Sequence, residues 1–150
     1  MNFPKSDSVV ILLVDDDPGD REITRRALAQ CGIDGELHVV EDGDQALEYL
    51  EHNGPFANPA RAPQPHLILL DLNMPGKSGL EVLEQIRRDP RLKRIPVVLW
   101  TTSEAEEDIK RAYELGVNSY VVKPTNLEEC TATIRKLEAY WLDTVKLPPR

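Results

Sequence analysis

The stretch VVILLVDDDP, residues 9–18, carries the pattern that decides the fold. Six apolar residues in a row are typical of a strand buried on both faces of a parallel sheet. Three aspartates end the run. Asp17 followed by Pro18 supplies a capping residue and a proline at the first helical position. The stretch therefore predicts a buried strand, a polar strand end and a helix that starts directly afterwards.

The same sequence of a strand-like run and a helix signal recurs along the chain. This alternation predicts an α/β fold, a doubly wound sheet of five parallel strands with helices on both faces, rather than a helical bundle or a β-sandwich. In such sheets, ligands bind beyond the carboxyl ends of the strands. The further strands are expected at 37–40, 67–70, 97–100 and 119–122.

Helix boundaries are marked by local signals. Asp42 precedes Gln45 by three residues, and three Ser/Thr-x-x-Glu patterns follow, each of which predicts a helix that its first residue caps. Gly32 and Gly116 stand where helices are expected to end. The expected capping residues are Asp17, Asp42, Ser78, Ser103 and Thr125.

The net charge of −8 argues against binding of nucleic acid through its phosphates. The basic cluster at 87–94 is interpreted as a solvated helix end and loop. Cys31 and Cys130 lack metal-ligand spacing and are interpreted as reduced thiols. No apolar run is long enough for a membrane span or a signal peptide, which predicts a cytoplasmic protein without membrane contact.

A chain of 150 residues fits one domain, with a core expected at 9–141, an insertion at 51–65 and a tail at 142–150. The insertion holds four prolines, which favour a stiff excursion anchored by Phe56. It is either a surface loop without a role or a partner contact. A last helix with an apolar stripe is expected to dock on the sheet, and less readily to form a dimer seam. The stripe comprises Leu127, Cys130, Ile134, Leu137 and Trp141.

Polar residues stand at the ends of four predicted strands. Asp15 and Asp16 follow the first strand, Asp71 the third, Thr101 the fourth and Lys123 the fifth. Because the carboxyl ends of parallel strands meet at one edge, these groups are expected in one shallow cleft. Each of them has a plain structural explanation when taken singly, but their joint placement favours a functional site.

This set of residues suits phosphoryl transfer assisted by a divalent cation. The Asp71 carboxylate can attack phosphorus and form an acyl phosphate. Mg²⁺ takes carboxylate and carbonyl oxygens, which Asp15, Asp16, Asp71 and the backbone of the turn at 73–76 could supply. The Lys123 ammonium would neutralise phosphoryl oxygens. Without a cation the three carboxylates repel one another, so at least one pKa is expected to be raised.

The segments ILLVDDDP, LILLDLNMPGKSG, VVLWTTS and NSYVVKP resemble the receiver domain of two-component response regulators. The resemblance implies a flavodoxin-like sheet of order 2-1-3-4-5. It implies that a sensor histidine kinase phosphorylates Asp71. It also implies that Mg²⁺ is ligated by Asp16, Asp71 and the Asn73 carbonyl, and by Asp15 through water.

The same resemblance assigns the remaining roles. Lys123 would pair with the acyl phosphate, Thr101 would move to a phosphoryl oxygen, and Tyr120 would switch between exposed and buried positions. Such a protein is not a conventional enzyme, since it catalyses only its own phosphoryl acceptance and loss. The first helix, expected over 20–30, would dock on the kinase.

A second resemblance rests on the proline-rich insertion, Trp100–Ser103 and Ala139–Trp141. These features are similar to single-domain regulators that serve bacterial phytochrome histidine kinases. The similarity implies a phytochrome kinase as partner and a homodimer through the fourth helix, fifth strand and fifth helix. With no DNA-binding segment expected, the output is a contact with a downstream protein or onward phosphate transfer.

Three alternatives stay open. The chain could be a receiver-like binding or dimerisation module that works without phosphorylation. An aspartyl-phosphate phosphohydrolase would need a second carboxylate two positions after Asp71, where Asn73 stands. A flavin-binding module would place a phosphate after the first strand, where three aspartates would repel it.

Overall fold

The structure is a computed structural model that describes residues 9–32 and 35–149. Strands and helices alternate along the chain. A short 3₁₀ helix follows α2, and a π-helical turn follows α5. The elements are β1 (Val9–Val14), α1 (Pro18–Gln30), β2 (Gly35–Val40), α2 (Gly43–Glu51), the 3₁₀ helix (Gly54–Phe56), β3 (Leu67–Leu70), α3 (Gly79–Arg88), β4 (Val97–Thr101), α4 (Glu106–Glu114), β5 (Ser119–Val122), α5 (Leu127–Glu138) and the π-helical turn (Ala139–Thr144).

The five strands form one parallel sheet in the order β2-β1-β3-β4-β5, which confirms the predicted fold. Val14, the last residue of β1, is in register with Val40 of β2 and Leu70 of β3. Thr101 at the end of β4 is in register with Val122 at the end of β5. The residues that follow the strands therefore emerge at one edge.

Each face of the sheet is covered by helices. Alternate residues of β1 point to opposite faces, so Leu12 belongs to one apolar cluster and Leu13 to the other. Helices α2, α3 and α4 cover the first face, and α1 and α5 cover the second. Trp100, fully buried on the second face, donates its indole N–H to the Thr24 hydroxyl at 3.0 Å. The sheet is thus a rigid base for the residues at its edge.

Three of the expected helix caps are confirmed, and two are wrong. Asp17, Asp42 and Ser78 each accept a backbone N–H from the residue three positions on. Helix α5 is capped by Asn126, which accepts from Glu129 N–H, and not by Thr125.

Ser103 does not cap α4, which begins at Glu106 after Ala105 and has no side-chain cap. The Ser103 hydroxyl instead donates to the Asp108 carboxylate at 2.7 Å and accepts the Ala105 N–H at 3.3 Å. These bonds satisfy the hydroxyl in a turn ahead of the helix. The first helical residue therefore comes later than the sequence pattern predicts.

The proline-rich insertion is folded against α2. The Tyr49 hydroxyl donates to the Pro63 carbonyl at 2.7 Å, and His52 Nε2 lies 2.7 Å from the Ala62 carbonyl oxygen. Ala62 is fully buried, and the Phe56 ring packs on Tyr49 with centroids 5.4 Å apart. Phe56 is thus one of several anchors, and the insertion is a closely attached loop.

The apolar stripe of α5 docks on the sheet as predicted. Cys130, Ile134 and Trp141 are buried in the cluster of the second face. The apolar residues beyond Trp141 pack against the same cluster and so cover the core at this end of the chain. Tyr140 differs, because 54% of it is exposed. The packed residues are Leu142, Val145 and Leu147.

Arg87 corrects the interpretation of the basic cluster as solvated. Its guanidinium is half-buried and donates to the Gly116, Lys93 and Ile95 carbonyls and to the Asn118 side chain, at 2.7–3.1 Å. Burial lowers its pKa. The residue ties the end of α3 to the segments that precede β4 and β5.

None of the helices in the described ranges is long and apolar enough to cross a membrane.

Replacing Arg87 by methionine keeps much of the apolar stem but removes every donor. We expect the free energy of unfolding to fall by about 2–3 kcal/mol, because the hydrogen bonds of a half-buried guanidinium are lost, among them the one to the carbonyl of the buried Ile95. Arg88→Met is the matched control, since that side chain is 77% exposed and pairs only with Glu84 among the described ion pairs. Chemical denaturation would measure the free energy of unfolding of both variants. Equal losses of stability in the two would contradict the structural role of Arg87.

Gly79 lets α3 start close to the backbone of Asp71, the residue that follows β3. A Cβ at this position would collide with the Asp71 carbonyl oxygen and lie 2.9 Å from the Leu72 Cα. Both are backbone atoms, which cannot swing aside as a side chain could. The Gly79 N–H also donates to the Leu72 carbonyl at 2.8 Å. The close approach therefore requires glycine.

Gly79→Ala is expected to lower the free energy of unfolding by about 1–3 kcal/mol, since the clash forces a backbone shift next to Asp71. Gly19→Ala serves as control, because a Cβ there meets only the Asp17 side chain, at 3.2 Å. Alanine is favoured over glycine inside a helix, so the control should be neutral or stabilising. Thermal or chemical unfolding of both variants tests this expectation.

Candidate functional site

Three carboxylates gather at the edge of the sheet where β1 and β3 end. Asp15, Asp16 and Asp71 each present one oxygen, and these oxygens lie within 4.8 Å of one another. Asp15 is fully buried, Asp71 nearly so, and Asp16 is partly exposed. Hard carboxylate oxygens with one open side suit a cation such as Mg²⁺, which keeps part of its water shell. The residues present therefore fit the metal that the sequence predicts.

Backbone hydrogen bonds fix the positions of these residues. The Asp15 N–H donates to the Val40 carbonyl at 3.2 Å, and the Asp71 N–H to the Val14 carbonyl at 2.9 Å. The Lys123 N–H donates to the Thr101 carbonyl at 2.7 Å. The hydrogen-bond ladder of the sheet thus continues for one residue beyond the strands. The side chains of the site inherit the rigidity of the sheet.

The Lys123 ammonium lies among carboxylates. Its Nζ atom is 2.8 Å from Asp15 Oδ2, 3.0 Å from Asp20 Oδ2 and 3.7 Å from Asp71 Oδ2. Burial opposes its charge, but the hydrogen bond to Asp15 and the charges of Asp71 and Asp15 outweigh it, so its pKa is raised. Lys123 is a permanent cation beside Asp71.

Asp71 is held by a hydrogen bond from the Leu72 N–H to its Oδ1, at 2.8 Å. Burial, opposed by the Lys123 charge and aided by the Asp15 charge, raises its pKa to about 6. The expected raised pKa is therefore confirmed. Its largest cause is burial, and repulsion between the carboxylates is a smaller one.

Thr101, Ser103 and Tyr120 form a connected group on one side of Asp71. The Thr101 hydroxyl interacts with Asp71 and lowers the pKa of that carboxyl, and it also accepts the Ser103 N–H at 3.3 Å. The Tyr120 hydroxyl donates to the Ser103 carbonyl at 2.9 Å. The Tyr120 ring is half-buried against the core, and burial raises its pKa. Ser103 thus connects the threonine to the tyrosine.

Asn73 is exposed two residues beyond Asp71, after the buried Leu72. The bond from Gly79 N–H to the Leu72 carbonyl closes the loop that carries it. The structure therefore brings together the predicted carboxylates, Thr101 and Lys123, and it connects Tyr120 to them through Ser103.

Two residues of this site are not predicted from the sequence. The sequence places Asp20 only in the first helix, although its position in the first turn of α1, four residues after Asp16, turns it toward the same edge. The sequence pattern predicts only a helix cap for Ser103. Its link to Tyr120 spans 17 positions in the chain, and no local pattern signals it.

The family model of the response regulator receiver domain matches residues 11–135. Response regulator Rcp1 of Synechocystis sp. is 45% identical over 139 residues, which cover 93% of this chain and 92% of Rcp1. A crystal structure of the Mn²⁺-bound form of Rcp1 has a TM-score of 0.84 at 44% identity, over 94% of this chain and 99% of that one.

Two further solved structures are similar. The phosphorylated cyanobacterial phytochrome response regulator RcpA has a TM-score of 0.87 at 44% identity, over 94% of this chain and 99% of its own. Response regulator RPA3017, in red light signaling of R. palustris, has a TM-score of 0.89 at 35% identity, over 95% of this chain and 99% of its own. With a family model over most of its length and relatives that match nearly all of it, the chain belongs to the response regulator receiver domains.

Proposed function

We propose that this chain is a single-domain response regulator that accepts a phosphoryl group on Asp71 from a histidine kinase in the cytoplasm. The observation that carries the proposal is the surrounding of Asp71, with two further carboxylates on one side and the Lys123 ammonium 3.7 Å away. This arrangement supports both a cation and a phosphoryl group. The protein is a signalling component whose only chemistry is on itself.

In the proposed transfer, an Asp71 carboxylate oxygen forms a bond to the phosphorus of a phosphohistidine. The bond from phosphorus to the imidazole nitrogen breaks. That nitrogen keeps the bonding electron pair and takes up a proton from solvent. Lys123 stays charged and faces the oxygens of the transferred group. Asp15, Asp16 and Asp71, with the Asn73 carbonyl, would hold Mg²⁺, which neutralises the charge that develops on those oxygens. In this proposal Asp15 would bind the ion through a water molecule, and the other oxygens would bind it directly.

The group of Thr101, Ser103 and Tyr120 supports a conformational switch. Moving a two-state equilibrium from 1:99 to 99:1 needs about 5.5 kcal/mol of differential binding. A hydrogen bond to a charged group contributes roughly 1.5–3 kcal/mol, so two or three new ones at the phosphoryl group suffice. A change at Thr101 would pass through Ser103 to Tyr120 and α4, and so alter a surface that a partner contacts.

The relatives support a light-sensing kinase as the partner. RcpA is named a phytochrome response regulator, and RPA3017 is assigned to red light signaling. We propose a bacterial phytochrome histidine kinase, docked at α1, as the donor. A homodimer through α4, β5 and α5 is proposed too, supported by the exposure of Tyr113 and Val122 on these elements. The output would be a protein contact or onward phosphate transfer.

The direct test is intact-mass spectrometry after incubation with acetyl phosphate, with and without Mg²⁺. We expect one phosphoryl addition that requires Mg²⁺ and is absent in Asp71→Asn. Asp89→Asn is a matched control, because it removes a carboxylate outside the site and should leave the addition unchanged. No addition to the wild type would refute phosphoryl acceptance and favour a binding module that works without phosphorylation.

The raised pKa of Asp71 predicts a pH-dependent stability without metal. Its folded pKa is about 6 and its ordinary value is 3.8, so ionised Asp71 favours the unfolded chain above pH 6. Asp71→Asn should therefore be more stable than the wild type at pH 7.5. This gain should shrink as the pH falls through 6 and disappear near 3.8. Urea unfolding across this range measures it.

Mg²⁺ provides the control for this experiment. Addition of the ion at pH 7.5 should stabilise the wild type by binding to the ionised site, and Asp71→Asn much less. A gain from Asp71→Asn that stayed constant between pH 4 and 7.5 would contradict burial of the charge as its cause.

A further inference from the structure

Asp20 is a close partner of Lys123 that neither the metal site nor the phosphoryl acceptor accounts for. It lies in the first turn of α1, where its backbone N–H donates to Asp17 Oδ1 at 3.0 Å. Its Oδ2 is 3.0 Å from Lys123 Nζ, which is shorter than the 3.7 Å between Lys123 Nζ and Asp71 Oδ2. The Lys123 ammonium thus lies closer to Asp20 than to the residue whose phosphoryl group it would stabilise.

The two close partners of Lys123 differ in their exposure to solvent. The Lys123 ammonium donates a hydrogen bond to Asp15 at 2.8 Å and forms an ion pair with Asp20 at 3.0 Å. The Asp15 side chain is completely buried, whereas 37% of the Asp20 side chain is exposed, so bulk solvent reaches the Asp20 carboxylate far more readily. Losing Lys123 therefore costs less at Asp20, where water can take its place, than at the buried Asp15.

We infer that Asp20 is a positioning residue that holds Lys123 while Asp71 is unmodified and competes with the phosphoryl group for it. The inference rests on the proposed function. A phosphoryl group on Asp71 adds negative charge within reach of Lys123, and a strong bond to the ammonium requires Lys123 to loosen its bond to Asp20. The Asp20 carboxylate also repels the phosphoryl oxygens. Both effects lower the phosphoryl occupancy of Asp71.

The test compares Asp20→Asn with Asp17→Asn. Both remove one charge from the start of α1, and asparagine keeps the shape of each side chain and the capping function of residue 17. No described ion pair joins Asp17 to Lys123. At saturating Mg²⁺, the acetyl phosphate concentration that gives half-maximal phosphorylation should fall about two- to five-fold in Asp20→Asn, the size of a partly exposed ion pair. It should change little in Asp17→Asn.

Two further measurements separate this role from a merely structural one. Raising the salt concentration should narrow the difference between Asp20→Asn and the wild type, because the effect is electrostatic. Asp20→Glu, which restores the charge, should bring the half-maximal concentration back toward that of the wild type.

Equal shifts in Asp20→Asn and Asp17→Asn would overturn the inference, because they would indicate a general charge effect. An unchanged or weaker phosphorylation of Asp20→Asn would overturn it too, since Asp20 would then not compete for Lys123. A wild type that takes up no phosphoryl group at all would refute the proposed function, and the inference with it. A wild type that is phosphorylated while Asp20→Asn behaves identically refutes the inference alone.

Discussion

The site depends on the hydrogen-bond ladder of the sheet running one residue past its strands. Through it, the backbone of Asp15 is bound to β2, that of Asp71 to β1 and that of Lys123 to β4. Charged side chains are costly to bury, and they stay in place here because the backbone gives them no freedom to separate. The site therefore depends on the fold more than on the local chain around each residue.

Much of this arrangement could be predicted from the sequence, because buried parallel strands have a strong local signal. The apolar run before Asp15 and the one before Asp71 predict two strands, and the rules of doubly wound sheets place their ends together. Residues that share a strand end need no long-range information to be assigned to one site. The carboxylates, Thr101 and Lys123 are therefore predictable from the sequence.

What the sequence could not predict depends on partners that are distant in the chain. The Ser103 pattern fits a helix cap, but Asp108 and Tyr120 engage its hydroxyl and carbonyl instead. Arg87 looks like a solvated charge until the carbonyls of Lys93, Ile95 and Gly116 surround it. The place of Asp20 in the site follows only from the position of Lys123, more than 100 residues away in the chain. In each case a contact with a residue distant in the chain determines the role of the side chain, and the local sequence pattern does not contain it.

Three atoms of Ser103 join it to other functional elements: its amide N–H donates to Thr101, its carbonyl accepts from Tyr120 and its hydroxyl donates to Asp108 of α4. A displacement of this one residue disturbs all three contacts together. The threonine, the aromatic ring and the start of α4 are therefore joined through one residue, and an arrangement that broke these bonds without forming others would be costly. Such a joint favours two discrete positions over a continuous range, so a population of molecules would respond to a stimulus by the fraction switched and not by the extent of movement in each.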